Sequence, residues 1–282
     1  MKISTFIDIY YNHRLQKANF LKKIYIYLII PFNYFIEKIN YPRIVNLDEY
    51  AKDNKEFFKK NLNFLFEYFN SDKGEKYINQ YTHPSKRDNL LIKAHGYSKY
   101  YERIFLKFKN DKINILEIGS FYGNASAALF FYFKNANIFG ADINPDMFNY
   151  KSQRLTSFYV NSSSELSLQK DLLEKKIQFK IIIEDASHML KDQIISLFYL
   201  FSILQSGGYF IIEELDFPEK RADMRINQDF PDLKTILRDI KQKKNFESKY
   251  VDKSLKKYFL ENFDSIEFFK GNTNEIAIIK KK

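Results

Sequence analysis

The sequence predicts an α/β protein: a doubly wound, mostly parallel seven-stranded sheet preceded by a helical N-terminal extension. Three observations lead there. Short apolar runs at 113–118, 137–141, 157–160, 179–184 and 208–213 are separated by helix-length segments, the pattern of parallel strands covered on both faces. Two further runs, 265–269 and 274–280, are separated only by Lys270-Gly271-Asn272-Thr273, which reads as an antiparallel hairpin at the sheet edge. Gly119 and Gly123 follow the first run directly, where a strand turns tightly into a helix around a ligand. This places the extension at residues 1–90 and the α/β domain at 91–282.

The elements follow in chain order. Residues 1–23 have neither an early apolar core nor a small-residue cleavage site, so they do not read as a signal peptide. Residues 24–36, IYIYLIIPFNYFI, are the most apolar stretch. It is about half the length that a membrane-spanning helix needs, Pro31 interrupts it, and lysines flank it. It reads as a buried helix or a docking surface for another subunit; the sharper alternative is a peripheral membrane contact. Residues 54–69 read as one amphipathic helix with Phe57, Phe58, Leu62, Leu65 and Phe69 on one side. Asn70 to Gly74 form a polar turn, and 75–93, with Pro84, a polar loop. A helix over 97–108 aligns Tyr97, Tyr101, Ile104, Phe105 and Phe108. Within the domain, helices fit at 124–134, 147–153, 163–174 and 189–205. The long connection 216–263 holds helices near 232–244 and 253–263.

Composition narrows the chemistry. The hydrophobic share of 45% excludes global disorder, since ample apolar surface is there to bury. The absence of cysteine excludes disulfides, Fe–S clusters and thiol nucleophiles. Lys plus Arg exceed Asp plus Glu by 45 − 35 = 10, an excess that suggests an anionic partner. The basic residues are scattered, however. The densest runs are Lys241-Gln242-Lys243-Lys244 and Lys280-Lys281-Lys282, and the residues of A/T-rich codons are abundant throughout, so nucleic acid is disfavoured as a partner.

The candidate site lies at the strand ends. Glu117-Ile118-Gly119-Ser120-Phe121-Tyr122-Gly123 is G-x-x-x-G rather than G-x-G-x-x-G; the glycine that approaches a pyrophosphate is missing, which disfavours a dinucleotide. Asp142 ends the second strand, where a carboxylate accepts both ribose hydroxyls. Asp185 follows the fourth strand, and Glu213 and Glu214 end the fifth. Neighbouring strands bring the three together, and such carboxylates must protonate or share a cation. Oxygen ligands without cysteine or clustered histidine suit Mg²⁺ or another hard divalent ion. His188, three residues beyond Asp185, is placed to take a proton from a substrate hydroxyl.

Glu117, Gly119, Gly123 and Asp142 in this order resemble the site of class I S-adenosylmethionine-dependent methyltransferases, a Rossmann-like fold whose sheet ends in a reversed seventh strand. The resemblance implies S-adenosyl-L-methionine as cofactor, with the glycine turn beside its methionine part and Asn161 facing its adenine. A narrower resemblance rests on Glu184-Asp185-Ala186-Ser187-His188 with Gln193, on Glu213-Glu214-Leu215, on Ser71-Asp72-Lys73-Gly74, and on His95-Gly96-Tyr97 with Tyr101-Glu102. These are similar to segments of metal-dependent sugar O-methyltransferases, a group whose wider relatives are called cephalosporin hydroxylase-like. That similarity covers residues 70–215. It implies a metal on Asp185, Glu213 and Glu214, with His188 as base. It also implies that the elements carrying Lys73 and Tyr97 close over the cofactor. Glu184, Ala186 and Glu214 depart from the group's pattern but keep charge or small size.

The implied activity is O-methylation of a sugar hydroxyl on a glycan or a nucleotide sugar, in the cytoplasm or at a membrane periphery, by a chain that can associate with itself. Two other readings stand beside it. One is a nucleic-acid methyltransferase, motivated by the charge but lacking an Asn/Asp-Pro-Pro-Tyr motif. The other is a non-catalytic cofactor-binding protein.

Overall fold

In the computed structural model, residues 1–79 and 90–282 are described. Seven strands form the main sheet: β1 (Asn114–Ile118), β2 (Asn137–Asp142), β3 (Leu155–Tyr159), β4 (Phe179–Glu184), β5 (Leu204–Ile212), β6 (Phe263–Lys270) and β7 (Glu275–Lys281). Their spatial order is β3-β2-β1-β4-β5-β7-β6. β1 to β5 are parallel, and β7 runs antiparallel to both β5 and β6. The chain winds outward from β1 to β3, then returns to lay β4 on the other side of β1. This reversal opens a crevice beyond the carboxyl ends of β1 and β4, where ligands bind in such sheets.

Side-chain alternation along the strands divides the core. Ile115, Ile181, Ile183 and Ile211 face one layer, with Leu65, Phe66, Tyr101, Phe105 and Phe131. Leu116, Ile182, Phe210 and Ile212 face the other, with Ile194, Phe198, Leu237 and Phe259. Both faces are covered, which is why these strands read as unbroken apolar runs. The helix Asn124–Tyr132 is buried from Ala125 to Tyr132 because the segment Leu62–Tyr68 packs over it. The helices Leu233–Lys243 and Lys253–Asn262 lie close to their expected places, each capped by an aspartate, Asp232 and Asp252.

Four local expectations are corrected. The helix expected over 54–69 is broken: a 3₁₀ turn, Lys55–Lys59, precedes the helix Leu62–Tyr68. Asn61 restarts the chain as an N-cap, its side chain accepting from Phe64 N at 2.8 Å. The helix expected over 147–153 is absent. Pro145–Met147 makes a 3₁₀ turn, and Tyr150–Lys151 pairs in parallel with Val45–Asn46. The long-range bond from Val45 N to the Asn149 carbonyl (2.8 Å) fixes this extended path. The expected loop 75–93 contains an antiparallel pair, Lys76–Ile78 with Leu91–Lys93; Pro84 lies outside the described residues.

Finally, the apolar stretch 24–36 belongs to one helix, Phe20–Asn40, which continues through Pro31. Proline removes the donor that would reach the Tyr27 carbonyl, and Tyr27 is exposed, so water replaces it at small cost. Nor is this a buried helix: of its 21 residues only Ile26, Ile30 and Glu37 are buried. Among the described residues, no helix is long and apolar enough to cross a membrane.

The aromatic cluster around Phe131, on the helix Asn124–Tyr132, makes a prediction. The Phe131 ring meets Phe57, Phe58 and Phe69 at centroid distances of 5.5, 5.1 and 5.5 Å. Phe131→Ala should lower unfolding stability by about 3–5 kcal/mol through the cavity it leaves, read by urea denaturation. A loss of less than about 1 kcal/mol would mean that the packing of Phe57, Phe58 and Phe69 does not depend on this ring.

Candidate active site

The glycine turn after β1 has no room for side chains. Gly119 has φ +86°, and a Cβ there would sit 1.9 Å from the Asp185 carbonyl oxygen. Gly123 has φ +80° and would meet the Phe148 ring at 2.7 Å. The two residues let the β1 turn pass against the segment that follows β4. Asp142 braces the same turn, accepting from Phe121 N and Asn144 N, both at 2.8 Å. Its carboxylate lines the main cleft of about 480 Å³ with Gly119, Asp185, His188 and Glu214. Asn161 lines an adjoining hollow of about 170 Å³ with Gly119, Asp142 and Val160, and its side chain accepts from Ser163 N at 3.0 Å.

Beneath the cleft lies a buried ionic cluster. Lys73 is 1% exposed, and its ammonium donates to Asp185, lies 2.9 Å from Glu213 Oε1 and 3.7 Å from Glu117 Oε1. Burial acts to lower the ammonium's pKa, but the charges of Asp185 and Glu213 outweigh it and hold the pKa well above the usual lysine range. Glu117 accepts from Ser126 Oγ at 2.6 Å; burial raises its pKa to about 7, opposed by Lys73 and Ser126. Glu213 accepts from the Tyr101 hydroxyl, while its second oxygen is buried with no hydrogen-bond partner. Burial and the charge of Asp185 push its pKa well up.

At the mouth, Asp185, His188 and Glu214 each offer one ligand atom, all within 4.8 Å of one another. Glu213 stands apart from this group, turned toward Lys73. His188 Nε2 is 2.7 Å from Glu214 Oε2 and 3.8 Å from Asp185 Oδ1. Burial alone would lower the imidazole's pKa; the hydrogen bond and charge of Glu214 raise it to about 9. Both His188 (φ +55°) and Glu214 (φ +49°) hold left-handed backbone, a strain common at functional sites. The two carboxylates supply oxygen donors of the kind that a hard divalent ion takes, and the imidazole adds a borderline nitrogen donor beside them.

Several contributors escaped sequence reasoning as site residues. His95 Nε2 lies 3.2 Å from Glu214 Oε1, and its Nδ1 meets Thr273 Oγ1 at 2.7 Å. Asn274 Nδ2 donates to Glu214 Oε1 at 2.9 Å. Gln193 Nε2 reaches the carbonyls of Glu213 and Glu214, each at 3.3 Å. His95 and Gln193 stand inside quoted motifs; Thr273 and Asn274 come from the edge hairpin, where nothing in the sequence signals a site. Tyr97 is fully buried and stacks on His95, with centroids 5.2 Å apart, beneath the cleft rather than on its wall.

Removing the buried cation tests the cluster. Lys73→Met should cost about 3–5 kcal/mol of stability by leaving carboxylates unpaired. Adding Glu213→Gln should recover part of that loss in urea denaturation. A Lys73→Met protein as stable as the parent would show that the ammonium is not the countercharge.

No protein-family model matches the chain. It is similar to demethylmacrocin O-methyltransferase of Streptomyces fradiae, 28% identical over 128 residues, covering 43% of this chain and 32% of that protein. It is also similar to 8-demethyl-8-alpha-L-rhamnosyl tetracenomycin-C 2'-O-methyltransferase of Streptomyces olivaceus, 27% identical, covering 43% of this chain and 33% of that protein. The chain thus spans about a third of the length of the curated relatives it matches. Among solved structures, the MycE methyltransferase from the mycinamycin biosynthetic pathway, in complex with Mg and SAH, superposes with a TM-score of 0.58 at 20% identity, over 79% of this chain and 54% of that one. The fold is therefore the α/β methyltransferase fold, and the relatives are sugar O-methyltransferases, the group whose segments the sequence resembles.

Proposed function

We propose that the chain is an S-adenosylmethionine-dependent O-methyltransferase acting on a sugar hydroxyl of a glycan or a nucleotide sugar, assisted by a divalent ion such as Mg²⁺. The observation that carries this is the grouping of Asp185, His188 and Glu214 in one cleft with Gly119 and Asp142. Gly119, Gly123, Asp142 and Asn161 would hold the cofactor, Asp142 through the ribose. Asp185 and Glu214 would hold the ion, with the Glu213 carboxylate, whose second oxygen has no hydrogen-bond partner, beside them, which leaves His188 as the base. S-adenosylmethionine supplies an electrophilic methyl group on a sulfonium, and a divalent ion supplies charge that acidifies a bound hydroxyl.

The chain's own residues do the rest. The acceptor oxygen must shed its proton as it attacks, and His188 Nε2 is the atom placed to hold it. Paired with Glu214, the ring holds a proton; a divalent ion on Glu214 would draw off that carboxylate's charge and lower the ring toward the range of a base. Asp142 and the glycine turn fix the direction of approach, and orientation contributes much of such catalysis. Residues 1–90 act as extension and lid over the domain at 91–282, adding Asp72 and Tyr77 to the cleft wall. Phe217, Arg221 and Met224, from the connection after β5, line the side left for the acceptor. The scattered charge lends nothing to a nucleic-acid reading. Lys281 is buried, donating to the carbonyls of Phe201 and Leu204, and Lys280 pairs with Asp264.

Binding measurements check this. Calorimetry should detect S-adenosylhomocysteine on the parent protein, with affinity lost in Asp142→Ala. Mn²⁺ titration followed by electron paramagnetic resonance should show one site, lost in Asp185→Asn while cofactor binding persists. Absence of cofactor binding in the parent would end the methyltransferase reading; cofactor binding with no ion site would end the metal-assisted one. With a panel of nucleotide sugars and labelled cofactor, His188→Ala should keep cofactor binding and lose roughly 10²–10⁴-fold in turnover. Full turnover would remove His188 as the base.

A further inference from the structure

The helix Phe20–Asn40 packs on its own protein through Ile26, Ile30 and Glu37 and turns a wide apolar face to solvent. Six residues dominate that face: Leu21, Tyr25, Leu28, Phe32, Phe35 and Ile39, each 62–76% exposed. Their spacing alternates four, three, four, three, four, which is the a/d alternation of a heptad seam. No charged residue occurs from 24 to 36. The seam is also self-complementary. Set antiparallel to a copy of itself about a two-fold axis near Ile30, Leu21 falls opposite the partner subunit's Ile39. Tyr25 then faces the partner subunit's Phe35, and Leu28 the partner subunit's Phe32. Each layer pairs an a with a d position, as antiparallel helices require, and one patch serves both copies.

We propose that this seam is a homodimer interface in which a second copy of the chain docks antiparallel through the same helix. The area suffices. Large side chains carry roughly 150–250 Å² each, so the three aromatic and three aliphatic residues of the seam, with their flanks, expose about 800 Å² per copy, the size of a standard stable interface. A monomer's largest apolar patch is about 300–600 Å². A lipid surface would need only a broad apolar face with basic residues along the polar side. Here the opposite side is spent on the protein itself, Asn33 donating to the Tyr11 hydroxyl at 2.6 Å, and the lysines sit at the ends, at 22, 23 and 38. The 3.5-residue spacing and the two-fold palindrome are features that only another helix uses.

The seam also bears on the cleft. Tyr10 and Tyr122 share a hydroxyl–hydroxyl contact of 3.0 Å, Thr5 Oγ1 donates to Asp146 at 2.9 Å, and the Tyr41 hydroxyl donates to the Met147 carbonyl at 2.6 Å. The helices beside the seam thus rest on the glycine turn and on the segment after β2.

Sedimentation velocity on the full chain should give twice the 33.9 kDa mass. Leu28→Glu/Phe32→Glu should weaken self-association at least roughly 100-fold with unchanged circular dichroism. The control Leu166→Glu, at an exposed apolar position elsewhere, should remain dimeric. The chain has no cysteine, so crosslinks read cleanly. Leu21→Cys/Ile39→Cys should form a disulfide-linked dimer under oxidation, whereas Leu21→Cys alone should not, since its copies would lie about 27 Å apart. A monomeric parent overturns the proposal, whether or not it floats with anionic phosphatidylglycerol vesicles. So does a dimer indifferent to the glutamate pair, or crosslinking by Leu21→Cys alone.

Discussion

Parallel strands all end on the same side of a sheet, so carboxylates at the ends of β1, β4 and β5 must meet. Glu117, Asp185 and Glu213 do so, and the Lys73 ammonium among them is the countercharge that lets the meeting be buried. Much of the site follows from where that lysine has to be. To reach the cluster, residues 71–74 must lie across the strand ends. Their backbone then pairs with the next segment: His95 N bonds to the Asp72 carbonyl (2.8 Å), Gly96 N to Gly74 (2.7 Å) and Tyr97 N to Lys73 (2.9 Å). This pairing sets His95 over Glu214. Asn272 N in turn bonds to the His95 carbonyl at 2.6 Å, which draws the β6–β7 turn into the cleft wall. An ion pair below the site thus orders the groups above it.

Those groups are held in postures they would not choose. Left-handed backbone at two non-glycine positions, His188 and Glu214, costs of order 1–3 kcal/mol each. The strain persists because the flanking helix is locked. Gln193 grips both carbonyls of the Glu213-Glu214 pair, and Asp192 accepts from Ser163 Oγ and Ser187 Oγ, each at 2.5 Å. These bonds hold His188 Nε2 2.7 Å from Glu214 Oε2, a preset distance of the kind that proton transfer would need.

How far the sequence revealed this follows from what is local. The strands were legible because burial on both faces writes an unbroken apolar run, and the edge hairpin because four residues permit little else. The glycine turn and Asp142 were legible because their spacing is set by one strand–turn–helix unit. The direction of Glu213 was not. Adjacent residues at a strand end point opposite ways, and which one enters the core depends on Lys73 and Tyr101, more than 100 residues earlier. The helix expected over 147–153 failed for a similar reason, since its extended path is fixed by Val45 and Asn46. The stretch 24–36 was seen as apolar, but which face meets its own protein is settled by Phe6, Tyr10 and Tyr11 in the first helices.

The net charge of +10 changes meaning once the residues are placed. Some of the lysine is structural: Lys73 within the ionic cluster, Lys281 on two carbonyls, Lys234 between Glu219 and Glu275. The cleft itself runs against the protein's overall sign. Asp72, Asp142, Asp185 and Glu214 line it, opposed by the His188 ring, whose pKa Glu214 raises to about 9, and by Arg221, which is paired with Asp223 at 2.7 Å. A local field of this sign attracts cations. It suits a positively charged sulfonium beside a divalent ion. The surface charge and the site charge are separate properties of this chain.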